Sequence, residues 1–191
     1  MQWRINKMNI DSSFNNLFIY RKATKNDISS IASLVADLIG TCNLDNSKSI
    51  LENDIYEITS TIDNYYVCEI ENKVVGACGL SDIMKKDNYN LGFNNIREIL
   101  YLVVSHEYQG NGIGTTLLNM CIKNINEMVV YEAWGDNGKY VNSKYVLERC
   151  GFKLIKDLGN DYYKKHNYCS FCVNKNKSCN SCLAQIWVKE K

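Results

Sequence analysis

The chain has 191 residues, 46% of them hydrophobic, which is enough for one full core with a small appendage. A formal net charge of +1 gives no general pull toward nucleic acid or an anionic membrane. No apolar run approaches the roughly 18 residues of a membrane span, and the opening MQWRINKMNI lacks the apolar centre of a secretory signal. A cytoplasmic protein without a membrane partner is expected.

In chain order, residues 1–16 are polar and aperiodic and read as a flexible leader, with residues 17–191 as a single domain. Leu17–Lys22 reads as a first strand. Thr24 or Asn26 suits the cap of a helix over Asp27–Ile39, in which Ile28, Ile31, Leu34, Val35 and Leu38 line one face. A connection with Gly40, Asn43 and Asn46 leads to a second helix, roughly Lys48–Ile62. Tyr65–Ile70 and Val74–Leu80 form a hairpin around Glu71-Asn72-Lys73, and Lys85–Asn95 reads as a loop. Arg97–Ser105 suits a buried strand, and Gln109-Gly-Asn-Gly-Ile-Gly114 a turn. From Thr115 a helix follows, with Leu117, Leu118, Cys121, Ile122 and Ile125 at helical spacing. Met128–Trp134 is a strand broken by Gly135-Asp-Asn-Gly138, and Asn142–Arg149 a short helix ending at Cys150-Gly151. Phe152–Leu158 and Asp161–Lys165 read as strands joined at Gly159-Asn160, with a final strand at Gln185–Val188. Mixed elements around one strand–turn–helix crossover indicate an α/β or α+β fold.

The turn carries the chemistry. Glycines at 110, 112 and 114 let the backbone bend and bare its N–H groups at a helix start, a nest suited to phosphate or pyrophosphate. Thr115 stands where a dinucleotide fingerprint needs glycine, and no Lys follows Gly114 as a P-loop requires. What remains is Gln109-x-x-Gly-x-Gly114. With it, Ser143-Lys-Tyr-Val-Leu-Glu-Arg-Cys-Gly-Phe152 and Tyr20-Arg-Lys-Ala-Thr-Lys-Asn-Asp27 make the chain, over roughly residues 17–165, resemble the GCN5-related N-acetyltransferase (GNAT) superfamily.

The resemblance implies a mixed, mostly antiparallel sheet flanked by helices, and acetyl-CoA as cosubstrate. Gln109, Gly110, Asn111, Gly112, Ile113, Gly114 and Thr115 would hold its pyrophosphate. The strand at Leu102, Val103 and Val104 would splay and pair with the pantetheine arm, where a backbone N–H could polarise the thioester carbonyl. Ser143 matches a position near the thiol, where it bonds sulfur or amide; it equally suits a helix cap.

Acetyl transfer needs a neutral amine, so a nearby carboxylate is useful. Glu98 lies eleven residues before Gln109, the interval of the base glutamate in the superfamily's histone-acetylating branch. Strand parity places it with Leu100, Leu102 and Val104, apolar company that raises a carboxyl's pKa; the alternative is an ion pair with Arg97 or a lysine. The superfamily's usual tyrosine acid, four residues before the Gly-Phe glycine, is here Leu147. Tyr145, Tyr140 and water are the alternatives, and His106 reads as a solvated loop residue.

Nine cysteines include Cys169-x₂-Cys172 and Cys179-x₂-Cys182, separated by six polar-rich residues. Two such knuckles supply four thiolates tetrahedrally and suit a closed, structural Zn²⁺ over residues 166–184, before the last strand. Iron–sulfur ligation, redox dithiols and reduced thiols are the alternatives. Cys42, Cys68, Cys78, Cys121 and Cys150 are scattered, and several read as small buried hydrophobes. The expected activity is acetyl transfer from acetyl-CoA to a small-molecule, peptide or protein amine, by direct attack. The alternative is an acyl-CoA sensor whose zinc clip recruits a protein or nucleic acid. A homodimer is left open, and an extensive nucleic-acid surface is not expected.

Overall fold

The computed structural model describes residues 18–38, 47–84, 89, 92–135, 139, 141–165 and 182–190, with side chains left out at 47–51 and 53. The leader, Cys42, Tyr140, Cys169, Cys172 and Cys179 lie outside the described residues.

The elements are β1 (Ile19–Lys22), α1 (Ile28–Leu38), α2 (Ser47–Thr61), β2 (Tyr65–Ile70), β3 (Lys73–Leu80), β4 (Ile96–Val104), α3 (Ile113–Ile122), β5 (Met128–Gly135), α4 (Lys144–Arg149), β6 (Lys153–Gly159), α5 (Tyr162–Lys165) and β7 (Leu183–Lys189). The seven strands form one mixed sheet in the order β1-β2-β3-β4-β5-β7-β6. Every neighbouring pair is antiparallel except β4 and β5, which the α3 crossover makes parallel.

The β2–β3 turn is tighter than the sequence reading. Glu71 and Asn72 both hold positive φ, 49° and 63°, the two-residue hairpin geometry that follows the twist of its strands. Lys73 therefore already belongs to β3. The larger correction is at Asp161–Lys165, predicted as a strand and found to contain one helical turn. Lys165 N–H donates to Asp161 C=O at 2.9 Å, and the same two side chains form an ion pair at 2.6 Å. That i,i+4 closure outweighs the strand preference of Tyr162 and Tyr163. The last strand begins at Leu183, inside the span predicted for the cysteine insertion, and lies between β5 and β6.

The two sheet faces carry separate cores. On one, α3 and α4 bring Leu117, Leu118, Cys121 and Leu147 against Cys78, Ile99 and Phe152. A side chain at Gly76 would meet Ile113 and Leu117 at 3.1 Å, so this glycine seats α3 directly on β3. On the other, α1 and α2 bring Ile31, Ala32, Val35 and Ile58 against Tyr65, Val67, Ala77 and Val103. Each fully buried aliphatic side chain contributes about 1.5–3 kcal/mol.

Tyr65 pairs across the strands with Gly79, and its ring occupies the space where a Cβ at 79 would stand, 2.2 Å from the nearest ring carbon. Tyr65 is fully buried, so the ring has nowhere to go. Gly79→Ala should lower stability by about 3 kcal/mol, the upper range of overpacking costs, readable as a lower urea midpoint with an unchanged slope.

Candidate active site

β4 pairs with β5 over three residues only, Ile96–Met128, Arg97–Val129 and Glu98–Val130. Its pairing with β3 continues to Val104. Beyond Glu98 the two strands part, and the β5-facing edge of Ile99–Val104 has no strand beside it among the described residues. The parting begins several residues before Val103-Val104, where the sequence reading placed it. Leu102 and Val104 are half-buried along this edge and Val103 is buried.

Strand parity fails at the same place. Gly79 faces Tyr101 and Leu80 faces Ile99, so Leu100 is an extra residue in β4. Ile99, Leu102 and Val104 pack on the α3 face, whereas Leu100, Tyr101 and Val103 pack on the α1/α2 face. Glu98 therefore does not share a face with Leu102 and Val104, because the bulge inverts the alternation between them.

Ser81 fixes Glu98 in place. Its backbone N–H donates to Glu98 C=O at 2.8 Å, and its hydroxyl accepts the Glu98 N–H at 2.9 Å. The Glu98 carboxylate accepts a 2.5 Å hydrogen bond from the Tyr89 hydroxyl. Burial pushes the Glu98 carboxyl above its ordinary value; the Tyr89 hydrogen bond opposes this, and the charges of Glu132 and Glu57 reinforce it. The ion pair with Arg97 does not form: Arg97 instead bonds Ser81 C=O at 3.3 Å and lies 3.9 Å from Glu127.

Around Glu98 the sequence reading missed a set of carboxylates served by tyrosines. Tyr101 donates to Asp54 at 2.9 Å and lies 2.7 Å from Glu57, and Tyr162 donates to Glu132 at 3.3 Å. Among the described residues no lysine or arginine forms an ion pair with Asp54, Glu57, Glu98 or Glu132. The parity of Glu132 with Val130 was the available signal; the bonds from α2 and α5 left none.

Past β4, a short turn at His106–Tyr108 leads into the glycine segment. Gly110 and Gly112 hold positive φ, 82° and 78°, while Gly114 is an ordinary helical residue. The third glycine is thus not needed for the bend; a Cβ there would make ordinary contacts with Val146 at 3.6 Å and Val104 at 3.7 Å. Gln109 Nε2 donates to Val104 C=O at 2.9 Å, tying the loop to the end of β4. Asn111 Nδ2 donates to Tyr108 C=O at 3.1 Å, and His106 is exposed. Gly110, Asn111 and Gly112 are exposed, and no side chain caps α3. Free N–H groups at the positive end of a helix suit an anion.

Ser143 stands at the N-cap of α4, but its hydroxyl does not cap the helix. Its Oγ is buried with no hydrogen-bond partner among the described residues. Leu147 is fully buried and Tyr145 exposed, so α4 offers no phenol to the gap at either position. The described thiols that show a shift, Cys68, Cys78 and Cys150, are all pushed up by their surroundings, Cys68 to about 11, so none is an activated nucleophile. No group of three or more metal-ligating side chains is placed together among the described residues. Of the four clustered cysteines only Cys182 is described; it is half-buried, directly before β7.

No curated protein sequence matches the chain significantly. Among solved structures, PH1933 from Pyrococcus horikoshii OT3 superposes with a TM-score of 0.64 at 16% identity, over 91% of this chain and 98% of that one. A chain of the NatC complex bound to Gag peptide and CoA gives 0.62 at 15% identity, over 92% and 99%. An N-acetyltransferase from Staphylococcus aureus Mu50 gives 0.57 at 14%, over 90% and 100%. These likenesses are of fold. The acetyltransferase (GNAT) family model matches residues 35–152, more than half of the sequence, and the chain belongs to that family.

Proposed function

We propose that the protein transfers the acetyl group of acetyl-CoA directly to a primary amine, with Glu98 as general base. The observation that carries this reading is the parting of β4 from β5 beyond Glu98, which leaves the edge of Ile99–Val104 open along the strand that leads to the glycine loop before α3. The backbone N–H groups of residues 110–115 at the start of α3 take the pyrophosphate, and the open edge at Leu102, Val103 and Val104 takes the pantetheine arm. The amine arrives as an ammonium, loses a proton to Glu98, and attacks the thioester carbon. Cys68, Cys78 and Cys150 are buried thiols of raised pKa and are unsuited to an acetyl-enzyme step.

Among the described residues the carboxylates at 54, 57, 98 and 132 form no ion pair with a lysine or arginine, which favours a positively charged acceptor over one bearing its own carboxylate. The test is CoA thiol release from acetyl-CoA with spermidine, tyramine, a peptide with a free N-terminus and glutamate. The cationic amines should react and glutamate should not. Tight acetyl-CoA binding with no acceptor turned over would overturn the enzyme reading.

The proposal extends to a structural zinc ion held by Cys169, Cys172, Cys179 and Cys182, supported by their spacing and by the position of Cys182 at the start of β7. Four thiolates close the coordination sphere and leave no catalytic position. Metal analysis should find one zinc per chain, and chelation should lower the melting temperature, because the ion tethers the segment that feeds β7. Protein purified without chelators and free of zinc would contradict it.

A further inference from the structure

A departing thiolate gains from a proton donor, and on α4 Leu147 is packed into the core and Tyr145 is exposed. Tyr131 is the first residue of β5 beyond the last β4–β5 pair, Glu98–Val130. Alternation along β5 puts its side chain on the face opposite Val130. There it packs against the cluster that contains Ile99, Leu147 and Val141, against which Leu102, Val104 and Val146 also pack. Glu98 and Tyr131 thus stand on opposite faces of the sheet at one level, where the strands begin to separate.

The Tyr131 hydroxyl has a specific neighbour. Burial and the nearby Cys78 hold the phenol protonated, while the Ser143 hydroxyl beside it opposes that shift. Ser143 Oγ is buried and completes no hydrogen bond of full geometry. A phenol that stays protonated and a serine hydroxyl with an unmet hydrogen bond converge beside the open edge of β4.

We propose that Tyr131 is the general acid of the transfer, protonating the CoA sulfur as it leaves, and that Ser143 orients the Tyr131 hydroxyl. The inference rests on the acetyl-transfer reading. The amine nitrogen forms its bond to the thioester carbon, and the C–S bond breaks with its electron pair going to sulfur. Tyr131 Oη gives its proton to that sulfur, and the product is a thiol. The positively charged nitrogen sheds its second proton to solvent, from which the Tyr131 phenolate is reprotonated, and Glu98 then releases the proton it took from the ammonium. One ammonium and one thioester become one amide, one thiol and one released proton.

The test uses the whole protein and the fastest amine of the panel above. Tyr131→Phe should lower kcat about 10²-fold, the low end for a lost general acid, with the acetyl-CoA Kd and the amine KM unchanged within twofold. Ser143→Ala should cost less, and the double variant should be no slower than Tyr131→Phe, because both act on one proton transfer. A fluorinated tyrosine of lowered pKa at 131 keeps the hydroxyl and the packing, and should make kcat fall at mildly alkaline pH where the wild type stays level. That pH shift is a readout that a packing role would not move, and it decides the matter if Tyr131→Phe misfolds. Full kcat in Tyr131→Phe, or an unmoved pH profile in the fluorinated protein, would overturn the assignment while leaving acetyl transfer intact. A wild type that binds acetyl-CoA and acetylates nothing fails the underlying reading instead.

Discussion

Glu98→Gln is expected to lower kcat about 10²–10³-fold at neutral pH while leaving acetyl-CoA binding intact. General-base catalysis by a positioned carboxylate contributes on that scale, and the amide keeps the size of the side chain and can still accept from Tyr89. The pH dependence has a definite sign. Burial raises the Glu98 carboxyl above its ordinary 4.5, so wild-type activity should fall on acidification with an inflection above that value. The same shift makes a stability prediction in the opposite direction. For a carboxyl whose folded pKa is raised, the stabilising contribution is fully present below 4.5 and is lost as pH rises through the folded value. Once pH rises through that folded value the ionised Glu98 opposes folding, and Glu98→Gln should then melt no lower than wild type. Equilibrium denaturation beside steady-state kinetics reads both. An inactive variant that is also destabilised would point to a structural role instead.

The second large effect is at the loop. Gly112 holds φ at 78° immediately before α3. A valine there is β-branched in a left-handed conformation, which costs roughly 1–2 kcal/mol if the loop keeps its shape. Relaxing that strain turns the N–H groups of residues 110–113 away from a common centre. Gly112→Val should weaken acetyl-CoA binding at least tenfold, since about 1.4 kcal/mol is a factor of ten. Gly114→Ala is the matched control. Its φ is ordinary and the added methyl meets Val146 and Val104 at contact distance, so binding should change little. Calorimetric titration with acetyl-CoA compares the two. Equal losses in both would mean that loop geometry is not what holds the pyrophosphate.

This contrast also marks what the sequence made legible. Gly110, Gly112 and Gly114 look alike in a string of letters, and only backbone angles separate two turn glycines from one helical residue. The strand–turn–helix around them was readable because burial imposes period 2 before the turn and period 3.6 after it. The partners of Glu98 were not readable. One extra residue at Leu100 inverts the alternation, and Tyr89 and Glu132 come from the segment just before β4 and from the neighbouring strand. The insertion of β7 between β5 and β6 is likewise a long-range pairing with no local signal. At Asp161–Lys165 the aromatic pair argued for a strand, and one ion-paired turn decided otherwise. Leu147 is legible as a departure from the resemblance, an apolar residue where a tyrosine is expected, and it is fully buried.

Initial rates measured against both acetyl-CoA and the amine distinguish direct transfer between two bound substrates from a two-step route. Double-reciprocal lines that intersect, with CoA released only when amine is present, are the result expected of attack within a ternary complex. Parallel lines, or one equivalent of CoA released by the enzyme before any amine is added, would mean an acetyl-enzyme intermediate and would contradict it.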